Sequence, residues 1–166
     1  IGQNDIQTTA LIRAIMGEID YEGTVKWGVT TSRSYLPKDN SADFAGSESI
    51  LDWLRQFASK EEDDNTFLRG FLGRMLFSGD EVNKPVNVLS GGEKVRVMLS
   101  KLMLLKSNVL VLDDPTNHLD LESISSLNDG LKNFKESIIF ASHDHEFIQT
   151  LANHIIVLSK NGVIDR

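Results

Sequence analysis

Val109-Leu110-Val111-Leu112-Asp113-Asp114-Pro115-Thr116-Asn117-His118-Leu119-Asp120 is the stretch from which the rest of the chain can be read. Four apolar residues in a row predict a strand covered on both faces, as in a parallel sheet with helices on either side. Two carboxylates follow at the carboxyl end of that strand, where open α/β sheets bind their ligands. Asp113 is suited to hold Mg²⁺, directly or through water, and Asp114 to orient a water for attack on a phosphoryl group. Taken alone, paired acids after a strand are more often a cap plus a turn, and Pro115 and Asn117 also suit a plain turn.

Working outward, Ser90-Gly91-Gly92-Glu93 opens a segment rich in Leu, Met and Val that predicts a helix from Gly91 to Leu105. Two glycines let the backbone approach a ligand, and a helix start offers unpaired N–H groups and the positive end of its dipole. The Ser90 hydroxyl adds a donor there; the alternative is an N-cap with a flexible turn. On the other side, Leu121, Ile124, Leu127 and Leu131 mark a helix, Ser137 to Phe140 a second buried strand, and Asp144 to Leu151 a short helix. Ile155 to Leu158 reads as a third strand and Val163-Ile164 as the start of a fourth. Strands alternating with helices at this spacing give an α/β fold with a largely parallel sheet flanked by helices. His143, just after the second strand, is placed beside Asp113-Asp114 and could donate to a phosphate oxygen; the alternative is a structural histidine.

Ahead of Ser90, a helix is expected from Thr8 to Met16 and short strands at Gly23 to Gly28 and Arg33 to Leu36, the latter ended by Pro37. Ser47 can cap a helix with Ile50, Trp53, Leu54 and Phe57 on one face, and Asn65 a second that runs to Leu76. Glu61 to Asp64 reads as a solvated acidic loop. The middle third is therefore helical, and nothing in it forms a catalytic cluster. Trp27, Tyr35 and Trp53 read as packing residues rather than base-stacking ones.

At 166 residues the chain is the size of one domain, and 40% hydrophobic with 25% charged residues is a globular balance. No apolar run approaches the roughly 20 residues needed to cross a bilayer, and the first residues have no signal-peptide pattern. There is no cysteine, hence no disulfide framework and no thiolate metal site, which fits a cytoplasmic location. Seventeen basic against 24 acidic residues leave a net charge of −7, unlike a domain that grips a nucleic-acid backbone over a broad face. The 4 histidines have no clustered spacing, and the only metal expected is Mg²⁺.

In combination, Leu89-Ser90-Gly91-Gly92-Glu93, the strand with Asp113 to Asp120, and Ala141-Ser142-His143-Asp144 resemble the ATP-binding cassette (ABC) ATPases, a P-loop NTPase fold. Asp-Asp-Pro-Thr-Asn-His-Leu-Asp in particular resembles the wording of the ABC-F group, whose members carry two cassettes in one soluble chain. The resemblance covers essentially the whole sequence. It implies one nucleotide-binding domain over 1–166, with a small helical subdomain at roughly 45–105. It also implies that the chain is the later part of a second cassette, lacking the strand before its phosphate loop and the aromatic that stacks on adenine.

By the same resemblance, Ser90, Gly91, Gly92 and Glu93 form the signature loop that covers the γ-phosphate of ATP held by a partner cassette. Asp113 matches the Mg²⁺-binding aspartate, Asp120 the aspartate of the inter-domain loop, and His143 the switch histidine. Gly2 to Thr9 aligns without a gap on the phosphate loop GxNGxGK[ST], and there the match fails. Gly2, Asn4 and the Mg²⁺-binding hydroxyl of Thr9 survive, but Asp5 and Gln7 replace glycines and Thr8 replaces the lysine. A threonine cannot supply the charge that lysine brings to the phosphates, and Asp5 would bring a negative charge toward other negative charges. Lys38 stands where the family has the glutamine of its Gln loop. Asp114 stands for the catalytic glutamate with one methylene less, about 1.5 Å, where a displacement of about 1 Å can cost on the order of a hundredfold in rate.

These departures imply an asymmetric pair: a cassette weak at its own ATP and Mg²⁺ site, intact in what it offers a second cassette. The resemblance further implies an ATPase that acts on the ribosome in translation. The alternatives are the ATPase subunit of an ABC membrane transporter and a non-catalytic, ATP-dependent clamp module.

Overall fold

In the computed structural model, which describes residues 1–2, 5–159 and 162–165, three segments pair in parallel. They are β1 (Arg33–Leu36), β2 (Val109–Asp113) and β3 (Ser137–Ala141), in the spatial order β1-β2-β3. Side chains alternate across a strand, so β2 serves two cores. Val111 packs with Ile12 of helix α1 (Asp5–Met16) and with Ala141 on one face. Leu110 and Leu112 point into the larger cluster on the other face. All three β2 residues are at most 1% exposed.

The larger cluster gathers α2 (Ile50–Arg55), α3 (Asn65–Arg74), α4 (Gly91–Leu104), α5 (Leu121–Lys132) and α6 (His145–Leu151). In it Trp53 stacks on Phe44 at 4.8 Å, meets Phe57 edge-on, and donates its indole N–H to the Asp43 carbonyl at 2.9 Å. Phe140 of β3 meets Phe147 of α6 edge-on at 5.0 Å. The parallel α/β sheet flanked by helices is the architecture expected from the sequence.

Several local expectations are corrected. Gly23 to Gly28 forms no strand: Trp27 is held instead through its side chain, its indole donating to the Ile15 carbonyl and its ring lying under Arg33. Helix α2 starts at Ile50 with Ser49, not Ser47, as its cap. The Glu48 carbonyl accepts from Val86 and the Ile50 N–H donates to Lys84, which keeps the preceding residues extended. Asp64, not Asn65, caps α3, its carboxylate accepting from the Phe67 N–H. The helix stops at Arg74, before Leu76 turns to φ +63°.

The last two strands, β4 (Ile156–Ser159) and β5 (Gly162–Asp165), make an antiparallel hairpin of their own and do not extend the parallel sheet. The chain start runs along it: Gly2 bridges Leu158 in parallel, and the Leu158 N–H donates to the Ile1 carbonyl at 2.8 Å. An apolar gap of about 290 Å³, lined by Leu11, Ile15, Ile139, Ile148, Leu151 and Leu158, separates β3 from this hairpin.

Phe147 is fully buried, whereas Val163 on β5 is two-thirds exposed. Phe147→Ala is expected to destabilise the chain by about 3–5 kcal/mol, and Val163→Ala by less than about 0.5 kcal/mol. Urea denaturation midpoints of the two variants check the contrast.

Candidate functional site

The sheet register brings the site together. Asp113, the last residue of β2, lies opposite Ala141, the last of β3, and the Asp114 N–H donates to the Ala141 carbonyl at 2.9 Å. Two residues beyond Ala141 the chain presents His143. On the other edge Leu36 pairs with Leu112, and two residues beyond Leu36 the chain presents Lys38. Asp114 turns to φ +55°, a left-handed conformation that Asp tolerates better than most residues, and this ends the strand.

Asp113 is 2% exposed, and burial pushes its carboxyl above the usual carboxylate range despite a hydrogen bond from Thr9. Its Oδ2 is buried with no hydrogen-bond partner. An orphaned carboxylate oxygen beside a hydroxyl is a hard-oxygen setting that suits Mg²⁺. Among the described residues no three His, Asp or Glu side chains converge as a metal cage. A Mg²⁺ ion held by Asp113 and Thr9 would therefore complete its coordination with water and phosphate oxygens.

The place where the family resemblance would put a phosphate tail does not fit the same way. Asp5, the first residue of α1, puts one carboxylate oxygen 2.8 Å from the Lys38 ammonium and the other 2.7 Å from His143 Nε2. Lys38 also lies 3.4 Å from Asp114. The Lys38 hydrogen bond holds the Asp5 carboxyl below the ordinary range, and the same contact raises the Lys38 ammonium. The cavity bounded by Asp5, Thr8, Lys38, Asp113, Asp114 and His143 measures about 10 Å³, room for roughly one water. Thr8 is buried, and its hydroxyl donates to the Asp5 carbonyl inside the helix. Gly2 is spent on the bridge to Leu158, and Asn4 lies outside the described residues.

The start of α4 is built differently. Ser90 is its N-cap, accepting from the Glu93 N–H at 3.3 Å while Glu93 accepts from the Ser90 N–H at 2.8 Å. Burial pushes the Glu93 carboxyl up, but Lys84 at 2.8 Å and the Ser90 bonds outweigh it and leave it below its usual range. The two glycines face His118, which itself sits at φ +65°. A Cβ on Gly92 would lie 2.8 Å from the His118 carbonyl oxygen, whereas one on Gly91 would meet the imidazole at ordinary contact. A groove of about 310 Å³ joins Gly91 and His118 to Lys38, Asp113 and Asp114. Asp120 caps α5, its carboxylate accepting from the Ser123 N–H at 2.8 Å.

The structure thus brings Thr8, Thr9, Lys38, Asp113, Asp114 and His143 together, with Ser90 to Glu93 and Asp120 on adjoining helix starts. In the structure the Asp5 carboxylate faces Lys38 and His143, the two positively charged or chargeable groups nearest it. The sequence carried a signal for this, since by the family resemblance an acid and a base each stand where the family has a neutral residue. The part of His118 in requiring a glycine at 92 had no signal in the sequence.

A protein-family model for the ABC transporter family matches residues 1–117. The chain belongs to the ATP-binding cassette family of ATPases. Among its relatives, the uncharacterised ABC transporter ATP-binding protein YkpA of Bacillus subtilis is 58% identical over 99% of this chain and 31% of its own length. ABC transporter F family member 2 of Arabidopsis thaliana is 32% identical over 99% of this chain and 24% of its own. The chain therefore spans a third or less of these relatives. Among solved structures, the complex of archaeal ribosomal stalk protein aP1 with the archaeal ribosome recycling factor aABCE1 superposes with a TM-score of 0.78 at 22% identity. It covers 95% of this chain and 31% of that one, and shows a shared fold.

Gly92→Ala is expected to cost about 1–3 kcal/mol through the clash with His118, while Gly91→Ala leaves stability nearly unchanged; denaturant midpoints distinguish them. Asp113 sets a pH dependence. Its folded pKa is raised, so the stability linked to it is fully present below its unfolded value of about 3.9 and is lost as pH rises through the folded value. Asp5, whose pKa is lowered, acts in the opposite sense, its contribution being lost as pH falls. Asp113→Asn should therefore melt higher relative to the parent at pH 7 than at pH 3, because the variant has no carboxyl whose ionisation burial opposes. Paired thermal melts at the two pH values measure it.

Proposed function

We propose that this chain is one cassette of a paired ABC-F-type ATPase, weak at its own nucleotide and complete in the loop it presents to a partner cassette. The observation that carries the reading is a contrast within one face. The pocket where a phosphate tail would enter is filled by Asp5 between Lys38 and His143, whereas Ser90 to Glu93 stand pre-formed at the head of α4. In this reading 1–166 is a single nucleotide-binding domain. Ser90, Gly91, Gly92 and Glu93 meet the γ-phosphate of ATP bound by the second cassette, and Asp120 faces the inter-domain seam.

On the chain's own side, Thr9 and Asp113 hold Mg²⁺, while Gly2, Asn4, Thr8 and Lys38 border the phosphates. Asp114 orients water and His143 donates to phosphate, both less effectively than in a full site. Mg·ATP supplies the electrophilic phosphorus; the residues named here position water, charge and proton around it. The kinship with an F-family member supports action on the ribosome in the cytoplasm. The likeness to a recycling factor crystallised with a ribosomal stalk protein agrees with this reading. Among the described residues, no helix is long and apolar enough to cross a membrane.

The test uses a protein containing this cassette and its partner. Ser90→Arg is expected to lower ATP turnover by about a hundredfold or more, as loss of a preorganised donor does, while Thr8→Ala leaves the rate nearly unchanged. Loss of the cap alone costs only about 1 kcal/mol, so a melt separates unfolding from loss of function. Full turnover in folded Ser90→Arg sinks the proposal.

A further inference from the structure

We infer that Asp5 is the residue that decides which anions this site admits: its carboxylate occupies the point where Lys38 and His143 converge, so a phosphate tail enters only by displacing it. The inference rests on the reading of this cassette as weak at its own nucleotide site and supplies a cause for that weakness.

Three features that would each attract a phosphate are spent on this one carboxylate. The Lys38 ammonium contacts Oδ2 at 2.8 Å, and His143 Nε2 contacts Oδ1 at 2.7 Å. The third is the amino end of α1, a helix of 12 residues that Asp5 itself begins, where a negative charge already meets the helix dipole. Carboxylate and phosphate oxygens compete for such donors because both make charge-assisted hydrogen bonds of the same geometry. The carboxylate has the advantage of attachment, since it meets its partners at the effective concentration of a tethered group.

The space left over, about 10 Å³, holds no third party of phosphate size. Lys38 is shared with Asp114, so an incoming anion would still meet a competing carboxylate at that ammonium after Asp5 is displaced. The limits on the effect come from exposure. The side chains of Asp5 and His143 are 53% and 50% exposed, and ion pairs this open are weak. Asp5 therefore competes with the phosphate tail rather than sealing the site.

The probe is inorganic tripolyphosphate without added metal, titrated calorimetrically into the whole chain, so that neither base contacts nor Asp113 enters. Asp5→Asn keeps the shape and removes the charge, and is expected to tighten binding about tenfold, as relief of a like-charge contact allows. Asp80→Asn makes the same change of net charge on an exposed turn remote from the site and should bind as the parent does. Asp5→Glu should remain as weak as the parent. Should Asp5→Asn not fold, Asp5→Gly takes its place with the same expectation.

Binding by Asp5→Asn that is no tighter than the parent's, or is matched by Asp80→Asn, overturns the inference. If both are equally weak, the reading of a weak site survives alone; if the parent itself binds tightly, that reading falls as well.

Discussion

The in-register parallel pairing of β2 with both β1 and β3 is the constraint on which the rest of the structure depends. Because side chains alternate, a slip of one residue would turn Leu110 and Leu112 toward α1 and Val111 toward the large helical core, which neither side could accommodate. The same register fixes the chemistry. Opposing Asp113 to Ala141 brings His143 to the strand ends, and opposing Leu112 to Leu36 brings Lys38 there from the other side. Asp113 and Asp114, consecutive on a strand, would point to opposite faces; the left-handed turn at Asp114 ends the strand and puts its carboxylate within reach of Lys38.

Electrostatics and packing divide the work. The ion pairs of Asp5, Lys38 and His143 are half open to water, where such contacts contribute at most about 1 kcal/mol each. Burial of Leu110, Val111, Leu112, Phe147 and the Trp53 cluster sets stability on a larger scale. Asp113 is the exception among the charged groups of the described residues, being buried at the end of β2 with one oxygen unpartnered. Its ionisation is held back by the apolar packing that keeps β2 in place, so the fold carries a strained acid where the strand meets the site.

Much of this was legible in the sequence where the signal was local. Four consecutive apolar residues identified β2, the run from Gly91 identified α4, and Ser90 was a candidate for its N-cap, to which the structure adds the return bond of Glu93. What escaped was set by partners far along the chain. Ser49 displaced Ser47 as a cap because Lys84 and Val86 hold the residues before it, and Gly23 to Gly28 is fixed by the Trp27 indole rather than by a ladder. The hairpin of β4 and β5 read correctly as strands but not as a unit apart from the sheet. At the site, Thr9, Asp113 and His143 were picked out as matches to a motif, and Thr8, Lys38 and Asp114, like Asp5, as departures from one. That Asp5 pairs with Lys38 and His143 could not be read locally, because those partners follow β1 and β3, far along the chain.

The way α4 begins has a consequence for encounters with other molecules. Ser90 and Glu93 bond to one another, Lys84 fastens Glu93 from outside, and the His118 carbonyl lies too close to the Gly92 backbone for a side chain to fit there. The loop has therefore lost its conformational freedom during folding, before anything touches it. Association of a loop that is already ordered carries little further entropic cost. Its on-rate is then governed by diffusion and orientation rather than by a slow rearrangement of the chain.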